Sequence, residues 1–312
     1  MCPASSEILD TKQDGATREM MLIHGGGSNK TWLYDIDANS WEAVQEESGP
    51  KGIIYHTLVT LCRTSVLLFG GVSSLPSNDQ DCSNETWIFE IENRKWRQIY
   101  TTVHFQSKIH YVTPRCRHVS TVVHMHNSSC GCKESTIVYS GFKSSGQTWS
   151  LRVDSSLNDL WLLTCKDDSS NIYEWKLLDS SPPKLIFPAI ISAFGKTIGY
   201  FYGLNFTRFS GKINAREVWS YQLSNFMWKK LFSSTYSFTD KMSYATRTRA
   251  IYFSNSDRSN HYMYLCCSKY SYAVFDLVKE KWLSVKFEQL NALPILISIN
   301  LVVTKVYQMA FD

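Results

Sequence analysis

The densest grouping of chemistry-bearing side chains lies between residues 118 and 132: His118, His124, His126, Cys130 and Cys132. Imidazole nitrogen and thiolate sulfur are the ligands of tetrahedral zinc, so His-x-His followed by Cys-x-Cys is the first candidate for a metal centre. Its spacing matches no zinc motif. A strand would place His118, Ser120, Val122, His124 and His126 on one face by alternation alone, and no metal is expected. Adjacent Cys266-Cys267 offers two thiols, but neighbours in a strand point to opposite faces, and the structural role is favoured. His24-Gly-Gly-Gly27 has the composition of an oxyanion loop, but its glycines are explained by the repeat described below. No phosphate-binding loop, Gly-x-Ser-x-Gly, His-Glu-x-x-His or dinucleotide fingerprint occurs. The expectation is a protein that is not an enzyme and carries no cofactor.

Two arginine pairs remain, Arg115 with Arg117 and Arg247 with Arg249. Each guanidinium offers planar, bidentate donors for carboxylates or phosphates, so these four are the candidate binding residues. An acidic peptide or protein segment is their natural ligand. The long segments 73–84 and 142–158 are the most variable parts of the pattern, and such loops carry recognition.

The elements that position these residues are short. Helical periodicity is absent, and runs of five to nine residues rich in Val, Ile, Tyr, Phe and Trp alternate with Gly, Ser, Asn and Asp. That pattern predicts an all-β chain. The runs repeat in order: an apolar strand ending in small residues, a loop, a strand with a central aromatic, a turn, and a tryptophan opening a last strand. The first unit has Gly25-Gly26, Tyr34 and Trp41; the second has Gly70-Gly71, Phe89 and Trp96. Tyr221 with Trp228 and Phe275 with Trp282 keep the same spacing of seven residues. The third unit has Ser140-Gly141 and Trp161, and its closing Trp175 is displaced by an insertion around residues 166–171. The closing tryptophans are 55, 79, 53 and 54 residues apart.

A di-glycine, an aromatic, then a tryptophan seven residues on resembles the Kelch repeat, over about residues 20–303. Pro114-Arg-Cys-Arg-His118 is similar to the Pro-Arg-x-x-His that opens many kelch blades. The resemblance implies a Kelch-type β-propeller of four-stranded antiparallel blades, five clear units in a ring of five or six. It implies that the glycines permit tight turns and that the aromatic and tryptophan pack between blades. The di-glycine becomes Ser140-Gly141, Gly203-Leu204 and Cys266-Cys267 in later units, which should make them less regular. Copper-radical oxidases also use kelch-like propellers, but nothing singles out the cross-linked tyrosine and cysteine they need.

Domain organisation follows. Residues 1–19 form a polar N-terminal segment, and 20–312 a single propeller. The first unit is expected to lack its innermost strand, and the apolar run 293–303 (LPILISINLVV) to supply it by pairing the two ends of the chain.

Composition narrows the function. The chain of 312 residues is 44% hydrophobic and 14% aromatic, enough for a large core. A net charge of +4 does not point to nucleic acid. No stretch reaches the ~20 apolar residues of a membrane span, and the start has no signal-peptide core, so the cytoplasm or nucleus is expected. Nine cysteines, an odd number, argue against a disulfide framework. Sequons at Asn29, Asn84, Asn127 and Asn205 support the alternative of secretion. The resemblance implies a protein-interaction module, an adaptor or substrate receptor gripping a protein or peptide through the loop face. The alternatives are an extracellular glycosylated domain of attractin type and an accessory propeller of an RNA-modifying methyltransferase.

Overall fold

Frequent glycine, asparagine and serine breaks leave room for strands but not for helices, and the computed structural model contains only strands and turns in what it describes. It describes residues 3–11, 17–26, 28–45, 49–62, 64–73, 82–103, 112–124, 134–143, 156–167, 172–194, 197–206, 213–235, 249–255, 259–268 and 271–283. The chain divides into two compact units, Met1–Ile186 and Phe187–Asp312.

The first unit opens with β1 (Pro3–Thr11), β2 (Thr17–Gly25), β3 (Thr31–Asp35) and β4 (Ser40–Ala43), an antiparallel meander. Next come β5 (Ile53–Ile54), β6 (Thr57–Leu61), β7 (Ser65–Phe69), β8 (Val72–Ser73), β9 (Thr86–Glu90) and β10 (Lys95–Ile99). Of these, β6, β7, β9 and β10 make the second blade, while β5 pairs with β8 beside it. The third blade holds β12 (Val119–His124), β13 (Glu134–Tyr139), β14 (Leu160–Asp167) and β15 (Ile172–Asp179), and β11 (Thr101–Val103) adds a parallel strand to its edge. The fourth sheet, β16 (Leu185–Ala193) to β19 (Met227–Thr235) through β17 (Ile198–Phe206) and β18 (Ile213–Gln222), begins at the unit boundary. The fifth comprises β20 (Arg249–Ser254), β21 (His261–Ser268), β22 (Ser271–Asp276) and β23 (Lys281–Leu283).

The spacing of seven has a backbone cause. A four-residue turn joins the last two strands, and its fourth residue lies in the left-handed region: Asn39 (φ 49°), Arg94 (55°), Phe226 (57°) and Glu280 (52°). This turn fixes the register, so Tyr34 faces Trp41, Phe89 faces Trp96, Tyr221 faces Trp228 and Phe275 faces Trp282. The four ring pairs lie 4.7, 5.2, 4.8 and 5.0 Å apart. Asp35 and Asp276 cap two of the turns, each accepting a backbone N–H at 2.8 Å, from Ala38 and Lys279. In the third blade, where the connection is longer, Trp175 faces Leu163 instead.

Packing between successive blades also repeats. A ring at the end of the second strand packs, tilted, against the tryptophan of the following blade: His24 against Trp96 at 5.2 Å and Phe69 against Trp175 at 4.8 Å. Trp96 also donates its indole N–H to the Thr31 hydroxyl at 2.8 Å. Within the second unit Tyr202 meets Trp282 at 5.9 Å. The cores are the inward faces of these sheets, gathering Leu22, Leu33, Val66, Leu68 and Phe89 in one cluster and Met263, Leu265, Phe275, Val218 and Tyr202 in another.

Two expectations need correction. The innermost strand of the first sheet is β1, whose nine residues pair with β2 from Pro3 opposite Gly25 to Thr11 opposite Thr17. Backbone pairing does not require apolar side chains, so a polar N-terminus can supply a strand. The run 293–303 lies outside the described residues. The second concerns cysteine: Cys62, at the tip of the β6–β7 hairpin, is disulfide-bonded, while Cys82, Cys116 and Cys165 are free.

Candidate functional site

In the first unit, the segments leading into β6 and β12 meet the ends of β7 and β13. The two segments are equivalent: Tyr55-His56 precedes β6 as Arg117-His118 precedes β12, with Tyr55 at φ 60° and Arg117 at φ 55°. Each histidine packs into space that only glycine leaves open. A Cβ on Gly71, at φ 99°, would lie 2.5 Å from the Ile53 side chain and 2.9 Å from that of His56. One on Gly70 would lie 2.9 Å from the His118 ring and 2.6 Å from the Arg115 carbonyl. The second strand therefore ends in glycine because the segment leading into the next blade passes against it. Where Ser140 replaces the first glycine, it keeps the left-handed conformation at φ 62°.

Burial disfavours protonation of these imidazoles. His24 is pushed down to about 4 and His56 to about 3, while His118 lies well below its ordinary value, desolvation being the main cause in each. They are neutral packing groups at neutral pH. His118 lies within hydrogen-bond distance, 2.9 Å, of the Thr57 hydroxyl, and His24 is 3.0 Å from that of Thr31. His124 faces Glu134 across the β12–β13 pair, its Nε2 4.0 Å from the carboxylate Oε1. His126, Cys130 and Cys132 fall outside the described residues. Among the described residues no group of three or more His, Cys, Asp or Glu is placed to hold a metal.

Arg115, expected to face a ligand, is instead an internal tie. Its side chain is fully buried and donates four hydrogen bonds, to the Thr113 carbonyl (3.0 Å), the Ser140 carbonyl (3.0 Å) and both Asp159 carboxylate oxygens (2.7 and 2.8 Å). Asp159 also accepts the Trp161 indole N–H at 2.7 Å. The same acid-x-Trp contact recurs at Glu85–Trp87 (3.0 Å) and Glu217–Trp219 (2.8 Å). With four of its five donors bonded and its side chain buried, this guanidinium is out of a partner's reach. Arg117 is different: half-buried, it places its guanidinium 4.2 Å from the Tyr55 ring centroid, and its backbone N–H donates to the Tyr55 carbonyl at 2.9 Å. In the second unit, Arg249 is exposed at the start of β20, opposite Cys266, and Arg247 lies outside the described residues.

Around the Tyr55–Arg117 pair, Ile54, Val72, Cys82, Cys116 and Phe142 form a small apolar layer. It is knitted by main-chain bonds from Ser83 to Gly71, Gly71 to Arg115, Arg115 to Ser83, and both ways between Cys116 and Phe142. Sequence reasoning missed Tyr55, Phe142 and the two thiols of this layer. The only available signal was the aligned Tyr55-His56 and Arg117-His118 pairs.

No protein-family model matches the chain. An F-box/kelch-repeat protein of Arabidopsis thaliana is 31% identical over 117 residues, 33% of this chain and 23% of that protein. The chain thus matches less than a quarter of that relative's length. The solved structure of YjhT is similar at a TM-score of 0.51 and 14% identity, covering 84% of this chain and 72% of the other. A Synechocystis apocarotenoid oxygenase gives a TM-score of 0.45 at 9% identity, covering 87% of this chain and 58% of the other. Enzymes thus stand among the similar structures, and the expectation that the chain performs no chemistry is withdrawn. A likeness at that score assigns no reaction. The repeat is present in sequence and in strand register, and a kelch-repeat protein is among the relatives: the fold is that of a kelch-type β-propeller, with five four-stranded blades among the described residues.

Proposed function

We propose that the chain is a protein-interaction module that grips a protein or peptide where the segments leading into the second and third blades meet, acting as an adaptor or substrate receptor. The propeller fold and the kelch-repeat relative support an interaction module in general. The observation that carries the choice of surface is the Tyr55–Arg117 pair: a half-buried aromatic under a half-buried guanidinium, flanked by an apolar layer. Aromatic and arginine side chains of this kind dominate binding energy at protein interfaces. Among the described residues, the Arg117 guanidinium meets no carboxylate within ion-pairing distance, so it is suited to an acidic partner segment. Arg115 no longer supports that reading, because Asp159 neutralises it.

The test is quantitative affinity purification with the wild-type chain and with Arg117→Glu and Tyr55→Ala. A specific partner should lose at least about tenfold in affinity with either variant, with little change in melting temperature. Full retention of that partner would place the interaction elsewhere.

A further inference from the structure

Two free thiols meet in the layer just described. Cys82 precedes β9 and Cys116 precedes β12; each keeps only a sliver of exposed surface, 8% and 9%. Both donate to the same acceptor, the Phe142 carbonyl oxygen, at 3.3 Å from Cys82 and 3.8 Å from Cys116. That oxygen also accepts the Cys116 backbone N–H at 3.1 Å, so three donors compete for one carbonyl with two lone pairs. The Cys82 thiol also lies within hydrogen-bonding reach of Cys116. The backbones beneath them are paired, Cys82 with Val72 and Cys116 with Phe142, and Arg115 donates to Ser83. The two sulfurs are therefore adjacent on a fixed frame, and a bond between them would leave Phe142 its main-chain donor alone.

We propose that Cys82 and Cys116 form a redox-modification site, a dithiol that hydrogen peroxide converts to an intramolecular disulfide joining the segments that lead into β9 and β12.

Cys116 is the attacking thiol. The hydrogen bond from Cys82 holds it below its ordinary value, and the Arg117 charge acts in the same direction against burial. Reactive cysteines share such electropositive, partly exposed surroundings. The Cys116 thiolate attacks one peroxide oxygen; the S–O bond forms as O–O breaks, and the departing hydroxide takes the proton the thiol released, leaving as water. The Cys82 sulfur then attacks the sulfenic sulfur of Cys116; S–S forms, S–O breaks, and hydroxide leaves with the Cys82 proton as a second water. Two thiols and one peroxide become one disulfide and two waters, the two electrons passing from sulfur to oxygen. Because it is a chemical property of the pair, this proposal does not depend on which surface binds a partner.

The folded chain, reduced and freed of reductant, is exposed to hydrogen peroxide, alkylated and mapped by peptide mass spectrometry. The expected product is a peptide containing both Cys82 and Cys116, two hydrogens lighter than its parts and lost on treatment with dithiothreitol. In Cys82→Ser the sulfenic acid on Cys116 has no partner and is trapped by dimedone, whereas Cys116→Ser yields no adduct at residue 82. Recovery of both wild-type cysteines as alkylated free thiols after peroxide, or their linkage to other cysteines, overturns the proposal. The wild-type map decides this even if a serine variant fails to fold.

Discussion

The hairpins closed by Trp41 and Trp96 share register, turn conformation and ring pairing, yet Trp41 is 50% exposed and Trp96 only 5%. The difference lies outside the hairpins. Trp96 is covered by the preceding blade, through the His24 ring, the Thr31 hydroxyl and the backbone at Gly49, where an added Cβ would come within 2.7 Å of the indole. Trp41 belongs to the first blade of its unit, and no preceding blade of that unit covers it. The repeat specifies a local shape, while burial is assigned by the neighbour.

The largest effect should come from removing the two indoles. Trp96→Ala is expected to cost about 3–5 kcal/mol, as for other buried tryptophans, and Trp41→Ala only about 1 kcal/mol. Equal losses in denaturant titration would break the comparison.

A smaller effect separates the two blades by pH. His24 is the first blade's counterpart of Phe69, and it is held neutral, as are His56 and His118. The unfolded chain takes up these protons as pH falls below about 6.5, while the folded chain protonates His24 only near about 4 and His56 near about 3, with His118 also held well below its ordinary value. Stability is therefore full above about 6.5 and declines as pH falls toward 4, by about 1.4 kcal/mol per pH unit for each histidine. His24→Phe, which copies the second blade into the first, should recover about 2 kcal/mol at pH 5 relative to pH 7. An unchanged pH slope would mean that His24 does not carry the linkage.

The smallest effect concerns what the hairpins share. Phe226 occupies the left-handed turn position and is 48% exposed, so Phe226→Gly should raise stability by about 1 kcal/mol by relieving backbone strain. A loss of stability would show that its ring contacts outweigh the strain.

What could be read from the sequence was what is local. The seven-residue spacing encodes a turn, and a turn is fixed by adjacent residues, so four blades are visible in the residue order alone. The glycine pairs are visible too, though not the reason for them, which is the histidine of the next blade. Contacts between distant residues are invisible there. Arg115 looks like a surface ligand because its partner, Asp159, lies 44 positions away. Cys82 and Cys116 look like separate apolar thiols because nothing in the chain announces that the strands leading to them converge on Phe142. β1 was missed because its polar residues give no strand pattern, although its backbone pairs along its full length.

The aromatic pairing of the hairpins also makes the molecule its own optical probe. Four tryptophans sit about 5 Å from a partner ring in fixed orientations, close enough for their excited states to couple and give the folded chain a distinctive near-ultraviolet dichroism. Among the described residues, Trp41 is the one indole in the exposed large hydrophobic set, so it is open to an aqueous quencher such as acrylamide, whereas Trp96, Trp161 and Trp175 are shielded. Quenching of Trp41 would therefore be complete in the native chain, while quenching of Trp96, Trp161 and Trp175 would appear only as the second and third blades open, a readout of unfolding that needs no label.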